Sequence, residues 1–522
     1  YQEAIKLNPN QPPWLSELGV IFAAKGDQEN AITSFKKALI LNPYHKESLA
    51  NIGLMLTDRF FSAPDPELLD IILQLLEGKN LVNPTSIASS ALSLLKFDPH
   101  FDAALQIPVD GSSGTPLEEI VSHFSQTPVL LRLMEVCPLN DLRLESMLEK
   151  VRSKLLYQVD KITTSSAMLE FHIALALQCF TNEFLYQESE NETRLVVALE
   201  YIVERKLNSG EQPGPHEILC LASYRSLAEY SWAQSLSLPA YLRSIEQRLL
   251  LEPQKEAVLK SQIPVLGHVT DGISSAVSDQ YEEHPYPRWM QLCLAPAPKP
   301  AEEIFRKIDP NSALFTANNT EVPEILIAGC GTGQQSIQTA SRFTRCNVLA
   351  IDLSLRSLSY AKRKTEELDF TNIEYMRADI LHLKQLQRKF DVIECGGVLH
   401  HMNDPSDGWA SLSGCLKPGG FMKIGLYSKS ARAHISKIRD TIKLETVGST
   451  NKEMKDFRKR ILESGEEAHK QVTISPDFYA MSTLRDLIFH EQEHQFDLSE
   501  IKEHLSKLGL IFRGFDNQRI VR

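Results

Sequence analysis

Apolar residues in this chain repeat with two different periods, and the change from one to the other divides it. From Leu68 to Leu251 they recur about every 3.6 residues, the spacing that gives a helix one apolar face. Leu68–Leu76, Ser86–Leu95, Leu142–Leu156, Met168–Phe180, Arg194–Arg205, His216–Ala228 and Leu242–Leu251 each predict a helix. Breakers such as Asp110-Gly111-Ser112-Ser113-Gly114 and Ser209-Gly210-Glu211-Gln212-Pro213-Gly214-Pro215 separate them. Beyond Glu324 the apolar residues gather instead in short runs: Ile325–Ala328, Asn347–Ile351, Ile373–Met376, Phe390–Glu394 and Phe421–Leu426. These runs alternate with helical stretches at Gln334–Phe343 and Leu355–Leu368, the pattern of buried strands in a parallel sheet.

The amino-terminal end repeats itself. Tyr1, Ala4 and Pro9 recur 34 residues later as Phe35, Ala38 and Pro43, and Leu15, Leu18 and Gly19 recur as Leu49, Ile52 and Gly53. Leu15, Leu18, Gly19, Phe22, Gly26, Ala31, Phe35, Ala38 and Pro43 resemble the tetratricopeptide pattern position by position. The small residues admit the close approach of two helices, and the large ones fill the space between neighbouring units. Stacked repeats of this kind offer a concave surface to a peptide or protein segment, although so short an array also suits a packing module that caps the next domain.

The most informative motif is Glu-Ile-Leu-Ile-Ala-Gly-Cys-Gly-Thr-Gly, Glu324 to Gly333. Strand, glycine turn and helix form the first unit of a nucleotide-binding α/β fold. A dinucleotide fingerprint counted from Gly329 needs its third glycine or alanine at position 334, which is Gln334; the third glycine falls at Gly333 instead. The spacing Gly329, Gly331, Gly333 favours S-adenosylmethionine. Asp352, 19 residues beyond Gly333, ends the second run and is placed to accept the ribose hydroxyls. Asp379, after the third run, is placed to accept from the adenine amino group. Cys330, Thr332, Leu353, Ile380 and Gly396 complete the candidate cofactor site, all at the carboxyl ends of strands, where ligands of such sheets sit.

Together with Ala378-Asp379-Ile380, Phe390-Asp391-Val392-Ile393 and Leu416-Lys417-Pro418-Gly419-Gly420, these residues resemble the Rossmann-type S-adenosylmethionine-dependent methyltransferases from about Pro323 to Leu426. The resemblance implies an α/β Rossmann-like methyltransferase domain with a mostly parallel seven-stranded sheet, preceded by an all-α region with tetratricopeptide repeats. The expected division is 1–62 repeats, 63–270 a helical middle domain for recognition or dimerisation, 271–300 a Tyr/Pro-rich strap and linker, 301–430 the cofactor-binding core, and 431–522 an insertion or lid and the completion of the fold.

The strap Asp279-Gln280-Tyr281-Glu282-Glu283-His284-Pro285-Tyr286-Pro287-Arg288-Trp289 precedes the Pro296–Pro300 linker, and its prolines predict an extended path. It suits a cover for the cofactor or a substrate channel as well as an interdomain strap held by aromatic packing. With Leu177–Glu183, Gly425–Ser428 and Arg485–His490 it resembles a group of bacterial methyltransferases that often carry tetratricopeptide repeats and include the protein-lysine methyltransferases acting on rickettsial outer-membrane protein. That resemblance implies a protein-lysine substrate docked by the helical and repeat regions, a cytoplasmic location, and an assembly compatible with a homodimer.

An amine attacks only when neutral, and lysine starts near pKa ~10.4, so the site needs desolvation or a base. Tyr281, Glu283, His284, His400, His401, Tyr427 and His490 are the candidate pocket groups. His400, His401, Tyr281 and His490 are taken as catalytic; for the His400–His401 pair a role in shape or adenine contact stands beside it. Glu394-Cys395-Gly396-Gly397 occupies the place of the Asn/Asp-Pro-Pro-Tyr loop that methylates base or glutamine amino groups, which argues against that subclass. His490-Glu491-Gln492-Glu493-His494 fits H-E-x-x-H, but no third ligand stands at a recognised spacing; no metal site is read, and a pocket role for His490 or His494 is preferred.

The remaining features narrow the field. A net charge of −12 argues against a sequence-independent grip on nucleic acid. No apolar run approaches the ~18 residues of a membrane span. The eight cysteines form no C-x-x-C pair and read as free thiols in a reducing compartment. The first residue, Tyr1, suggests a fragment of a longer chain. Helices are expected at Ala431–Lys443, Lys452–Gln471 and, after a capping-box-like start at Asp497, up to Leu508, with a final strand at Leu510–Phe515. Three functions fit: a protein methyltransferase, a small-molecule methyltransferase using its repeats for assembly, and a repeat scaffold whose Rossmann domain senses the cofactor.

Overall fold

The computed structural model describes residues 10–109, 117–267, 271–295, 297–309 and 322–516. The first repeat's Tyr1, Ala4 and Pro9, the breaker Asp110–Gly114 and Pro296 of the linker lie outside the described residues. The chain forms two compact units: Tyr1–Gln254 with Trp289–Pro296 and Thr473–Met481, and Lys255–Arg288 with Ala297–Val472 and Ser482–Arg522.

The first unit is helical. Helices α1 (Pro12–Ala24) and α2 (Gln28–Leu41) form an antiparallel pair joined at Gly26, whose φ of 81° makes the turn. Asp27 starts α2 by accepting from the backbone N–H of Asn30, satisfying an N–H that has no partner within the helix. The pair packs closely because position 19 lacks a side chain: a Cβ there would stand 2.6 Å from the ring of Phe35, itself buried. Further helices at Pro66–Glu77, Pro84–Leu95, Leu142–Tyr157, Ser166–Thr181 and Glu190–Asn208 follow the predicted runs. The helix expected over His216–Ala228 stops at Ala222, and Tyr224 turns inward to donate to Glu192 at 2.6 Å. Helices at Pro99–Gln106, Leu117–Ser125 and Pro128–Val136 were not among the predicted ones; two begin with proline, which suits a first helical turn. Their apolar residues join one continuous core running from Ala31 to Leu250.

In the second unit six strands form one wholly parallel sheet: β1 (Val265–Leu266), β2 (Glu324–Ala328), β3 (Asn347–Asp352), β4 (Ile373–Ala378), β5 (Phe390–Gly396) and β6 (Leu416–Gly425), in the order β1-β4-β3-β2-β5-β6. Side chains alternate between two cores. Ile325, Ile327, Val348 and Ala350 face one layer, and Leu326, Ala328, Leu349 and Ile351 the other. Burial on both faces explains why these runs read as continuous apolar stretches. Each fully buried Ile or Leu contributes about 1.5–3 kcal/mol.

The described residues hold six strands rather than the expected seven. Leu510–Phe515 pairs with no strand; Ile511, Phe512 and Phe515 are exposed, and Gly514 at φ 145° interrupts the extended run. β1 was not predicted, being only two residues long. Leu416–Gly420, whose Pro418-Gly419-Gly420 would suit a turn before the run Phe421–Leu426, is the first half of β6. The strap is not extended throughout: Asp279–Glu283 ends helix α3 (Gly272–Glu283), which Asp271 caps by accepting from Ser274 N at 2.8 Å. The prolines act only after His284. Helices Ala433–Leu444, Asn451–Glu463, Glu467–Val472 and Leu498–Lys507 match the carboxy-terminal expectation, the last with its capping box between Asp497 and Glu500.

Candidate active site

The chain passes from β2 to β3 on one side and later returns to β5 on the other, so the order of the sheet reverses between β2 and β5. Crevices at such a point receive ligands. The glycine turn lies at its mouth. Gly331, at φ 51°, is crossed by the strap: a Cβ there would fall on the carbonyl oxygen of Tyr286. Thr332 N donates to the same oxygen at 3.3 Å, and the Thr332 hydroxyl donates to the Pro287 carbonyl. Gly333 is the N-cap of helix α4 (Gln334–Arg342), and a Cβ there would stand 2.6 Å from Ala361 of helix α5 (Leu355–Glu367). Cys330 is buried, and burial pushes its thiol up, which marks it as a packing residue.

Asp352 closes the turn. Its Oδ2 accepts from Gly331 N at 2.8 Å and its Oδ1 from Ser354 N at 3.0 Å. Burial raises this carboxyl above its ordinary range, and the backbone N–H groups oppose that rise. Each oxygen keeps a second lone pair, so the carboxylate can still accept a pair of ribose hydroxyls. Leu353 contributes its carbonyl to Arg377 Nε at 2.9 Å, and Ile380 is buried. Asp379 Oδ1 caps the following turn through Leu381 N at 2.9 Å, whereas Oδ2 is buried without a partner. A buried acceptor left unmatched costs about 1–3 kcal/mol, which an adenine amino donor would offset. Gly396, at the end of β5, leaves Gln335 3.5 Å from where its Cβ would be. These residues therefore fit S-adenosylmethionine at the adenine and ribose ends.

The four residues taken as catalytic come together. Past β5, His400 and His401 lie on one short turn, with ring centroids 4.2 Å apart. His401 stacks on His490 at 3.5 Å and 17°. The Tyr281 hydroxyl, from α3, lies 3.2 Å from His490 Nε2 and donates to Asp486 Oδ1 at 2.7 Å. The Ser354 hydroxyl donates to the Tyr281 carbonyl at 2.9 Å, which ties α3 to the loop after Asp352. Tyr427 stacks on His400 at 3.9 Å, and Arg432 lies over the Tyr427 ring at 3.9 Å while pairing with Glu493 at 2.5 Å. Burial lowers His401 to about 4 and pushes His400 and His490 down as well, so all three imidazoles are neutral near pH 7. Burial raises Asp486 to about 6.

Three of the candidate pocket residues, Glu283, His284 and His494, lie outside this group. Glu283 is half-exposed and pairs with Arg485, with His284 3.9 Å from its carboxylate. His494 lies in a surface depression with Asn403, Asp404, Pro405, Phe496, Glu500 and His504. His490 to His494 is not helical, so H-E-x-x-H does not present two imidazoles on one face. His401, Asp486 and His490 do bring ligand-type atoms within 4.8 Å of one another. Backbone N–H and Tyr281 occupy both nitrogens of His490, an arrangement that suits a hydrogen-bonded relay.

Asp486, Gln492, Arg432, Arg439 and Glu493 were not among the predicted site residues. Asp486 lies in the last turn of the helix Met481–Ile488, and His490 follows two residues beyond its end. Gln492 acts through its backbone, which no side-chain pattern announces.

The sheet, the glycine turn and Asp352 have the features of an S-adenosylmethionine-dependent methyltransferase domain. Residues 325–420 match the family described as Methyltransferase domain. An uncharacterized protein of Synechococcus sp. is 27% identical over 275 residues, 50% of this chain and 64% of that protein. The ubiquinone biosynthesis O-methyltransferase of Leptothrix cholodnii is 32% identical over 114 residues, 22% of this chain and 47% of that enzyme. Among solved structures, PKMT2 from Rickettsia typhi in complex with AdoHcy aligns with TM-score 0.33 and 20% identity, over 42% of this chain and 45% of that one. The chain thus spans about half to two thirds of the length of these proteins. Among the described residues no helix is long and apolar enough to cross a membrane.

Proposed function

We propose that this protein methylates a protein side chain, the amine of a lysine, with S-adenosylmethionine as the methyl donor. The observation that carries the reading is the buried group of Tyr281, His401, His490 and Asp486 beside the glycine turn and Asp352. S-adenosylmethionine, when bound, supplies a methyl group already activated by its sulfonium. What remains for the protein is to orient the nucleophile and remove its proton. Gly329, Cys330, Gly331, Thr332, Gly333, Asp352, Leu353, Asp379, Ile380 and Gly396 would hold the donor. The neutral imidazoles and the aromatic walls would strip water from an arriving ammonium, which lowers its pKa, and then accept its proton. The long helical unit supports a protein substrate, because a small nucleophile needs no docking surface of that size.

A second reading is favoured by the curated relatives. The ubiquinone biosynthesis O-methyltransferases match the same core, and the same base would serve a small-molecule hydroxyl. The test is to incubate the protein with S-adenosylmethionine labelled on its methyl group and a cell lysate of its source, then separate proteins from small molecules. Label on a protein, mapped to lysine by mass spectrometry and lost in Asp352→Ala, supports the proposal. Label confined to small molecules overturns it in favour of the second reading. Cofactor binding with no transfer at all overturns both and favours a cofactor-sensing scaffold.

A further inference from the structure

We propose that His401 Nε2 is the atom that takes the substrate's proton, and that a single residue, Gln492, makes it so by setting opposite tautomers on the two stacked imidazoles. The proposal rests on the methyl-transfer reading and separates the roles of two histidines which that reading leaves equivalent.

A carbonyl oxygen can only accept, so the 2.6 Å contact of Gln492 O with His401 Nδ1 puts the proton on Nδ1. His401 is neutral, and its Nε2 is therefore a bare lone pair. A backbone N–H can only donate, so Gln492 N, 3.2 Å from His490 Nδ1, makes that nitrogen the acceptor and leaves the His490 proton on Nε2. His490 Nε2–H then points to the Tyr281 oxygen, and the Tyr281 proton goes to Asp486 Oδ1. That chain runs in one direction and ends on a carboxylate, so every position of His490 is engaged. His400 is fully buried; its ring feels the Gly425 backbone but neither nitrogen reaches well-formed hydrogen-bond geometry, and Gln492 does not set its tautomer. Of these three imidazoles, only His401 has its Nδ1 proton held by a carbonyl and so presents Nε2 as the lone pair.

In the step itself the substrate N–H bond breaks, an Nε2–H bond forms on His401, and the electron pair of the broken bond stays on the substrate nitrogen. The imidazolium so formed keeps its Nδ1–H bond to the Gln492 carbonyl. The groups that face it are His400, His490, Tyr427, Glu493, Arg432 and Arg439, with Asp486 and Tyr281 behind His490; Glu493 favours the charge, and the two arginines oppose it. Burial of the neutral form keeps the ring ready at neutral pH.

The test uses the whole chain with ¹⁵N-labelled histidine, free of cofactor, and reads the ring nitrogens by NMR, with His401→Asn and His490→Asn assigning the signals. The proposal expects His401 protonated on Nδ1 and His490 on Nε2; both rings protonated on Nε2 overturn it. His401→Asn keeps an N–H near the place of Nδ1, so the bond to Gln492 survives while the base is lost. Its kcat is expected to fall about 10²- to 10⁴-fold, with KM little changed and with rescue by free imidazole. A wild-type kcat in His401→Asn overturns the base assignment while leaving methyl transfer intact. Absence of methyl transfer by the wild-type protein overturns the underlying reading, a result the NMR measurement keeps distinct from a wrong tautomer.

Discussion

The Tyr281 hydroxyl donates to Asp486 Oδ1 at 2.7 Å across 205 residues of sequence. With the Glu283–Arg485 pair it links the helix before the cofactor core to the segment that closes the histidine group, and the carboxylate it serves is buried. Tyr281→Phe removes that donor without changing the shape of the ring. Leaving a buried acceptor unmatched costs about 1–3 kcal/mol, so the urea midpoint of the variant is expected to fall by a corresponding amount. An unchanged midpoint would mean that water replaces the hydroxyl.

The helix pair at the amino end makes a packing prediction. A methyl group at position 19 meets the Phe35 ring at 2.6 Å, so Gly19→Ala should destabilise by about 1–3 kcal/mol in spite of alanine's better helix propensity. Gly414→Ala, also in a helix but with open space around it, is the control and should be neutral or slightly stabilising. Thermal unfolding of the two variants side by side checks both signs.

Acid should destabilise this protein in part through the active site. His400, His401 and His490 have folded values below the ordinary ~6.5, with His401 at about 4. Their contribution is complete above pH ~6.5 and is lost as pH falls toward the folded values, because the unfolded chain binds protons that the folded chain refuses. His401 alone contributes about 3 kcal/mol. Asp486 works in the opposite direction: raised to about 6, it holds its proton in the folded state between pH ~4 and 6 and gains stability as pH drops through that window. Asp352, also raised by burial, works in the same direction as Asp486, and three imidazoles against two carboxyls leave a net loss on acidification. Urea midpoints at pH 7, 5.5 and 4.5 should fall in that order, and less steeply in His401→Asn.

Asp379 offers a test of cofactor orientation. Its unpartnered Oδ2 is the acceptor proposed for the adenine amino group. Asp379→Asn places either an amide oxygen or an amide N–H there, and weakens a charge-assisted bond to a neutral one. S-adenosylmethionine affinity should fall about tenfold, whereas binding of an analogue lacking the adenine amino group should change little.

Most of the α/β core was legible because its strands are buried on both faces. Ile325–Ala328 and Val348–Ile351 are apolar without interruption, and glycine or aspartate marks their ends. Where burial is one-sided or absent, reading fails: Leu510–Phe515 has the composition of a strand but is exposed and unpaired, and Val265–Leu266 is too short to leave a pattern. Prolines 285 and 287 pointed to an extended strap, yet the Asp271 cap and the spacing of Ser274, Val277 and Ser278 carry a helix up to Glu283. Of the site, the residues with distinctive side chains were found. Asp486 lies inside the Arg485–His490 run but has no partner within it, since its donor Tyr281 is 205 residues away, and Gln492 was invisible because it works through its peptide.

The most direct test of the account is calorimetric titration of S-adenosylmethionine into the protein and into Asp352→Ala. Asp352 joins the glycine turn to the proposed ribose position, so binding by the wild-type chain and a loss of at least tenfold in the variant are predicted. Equal affinity in the two proteins, or no binding by the wild type, would contradict the assignment of this crevice as the cofactor site.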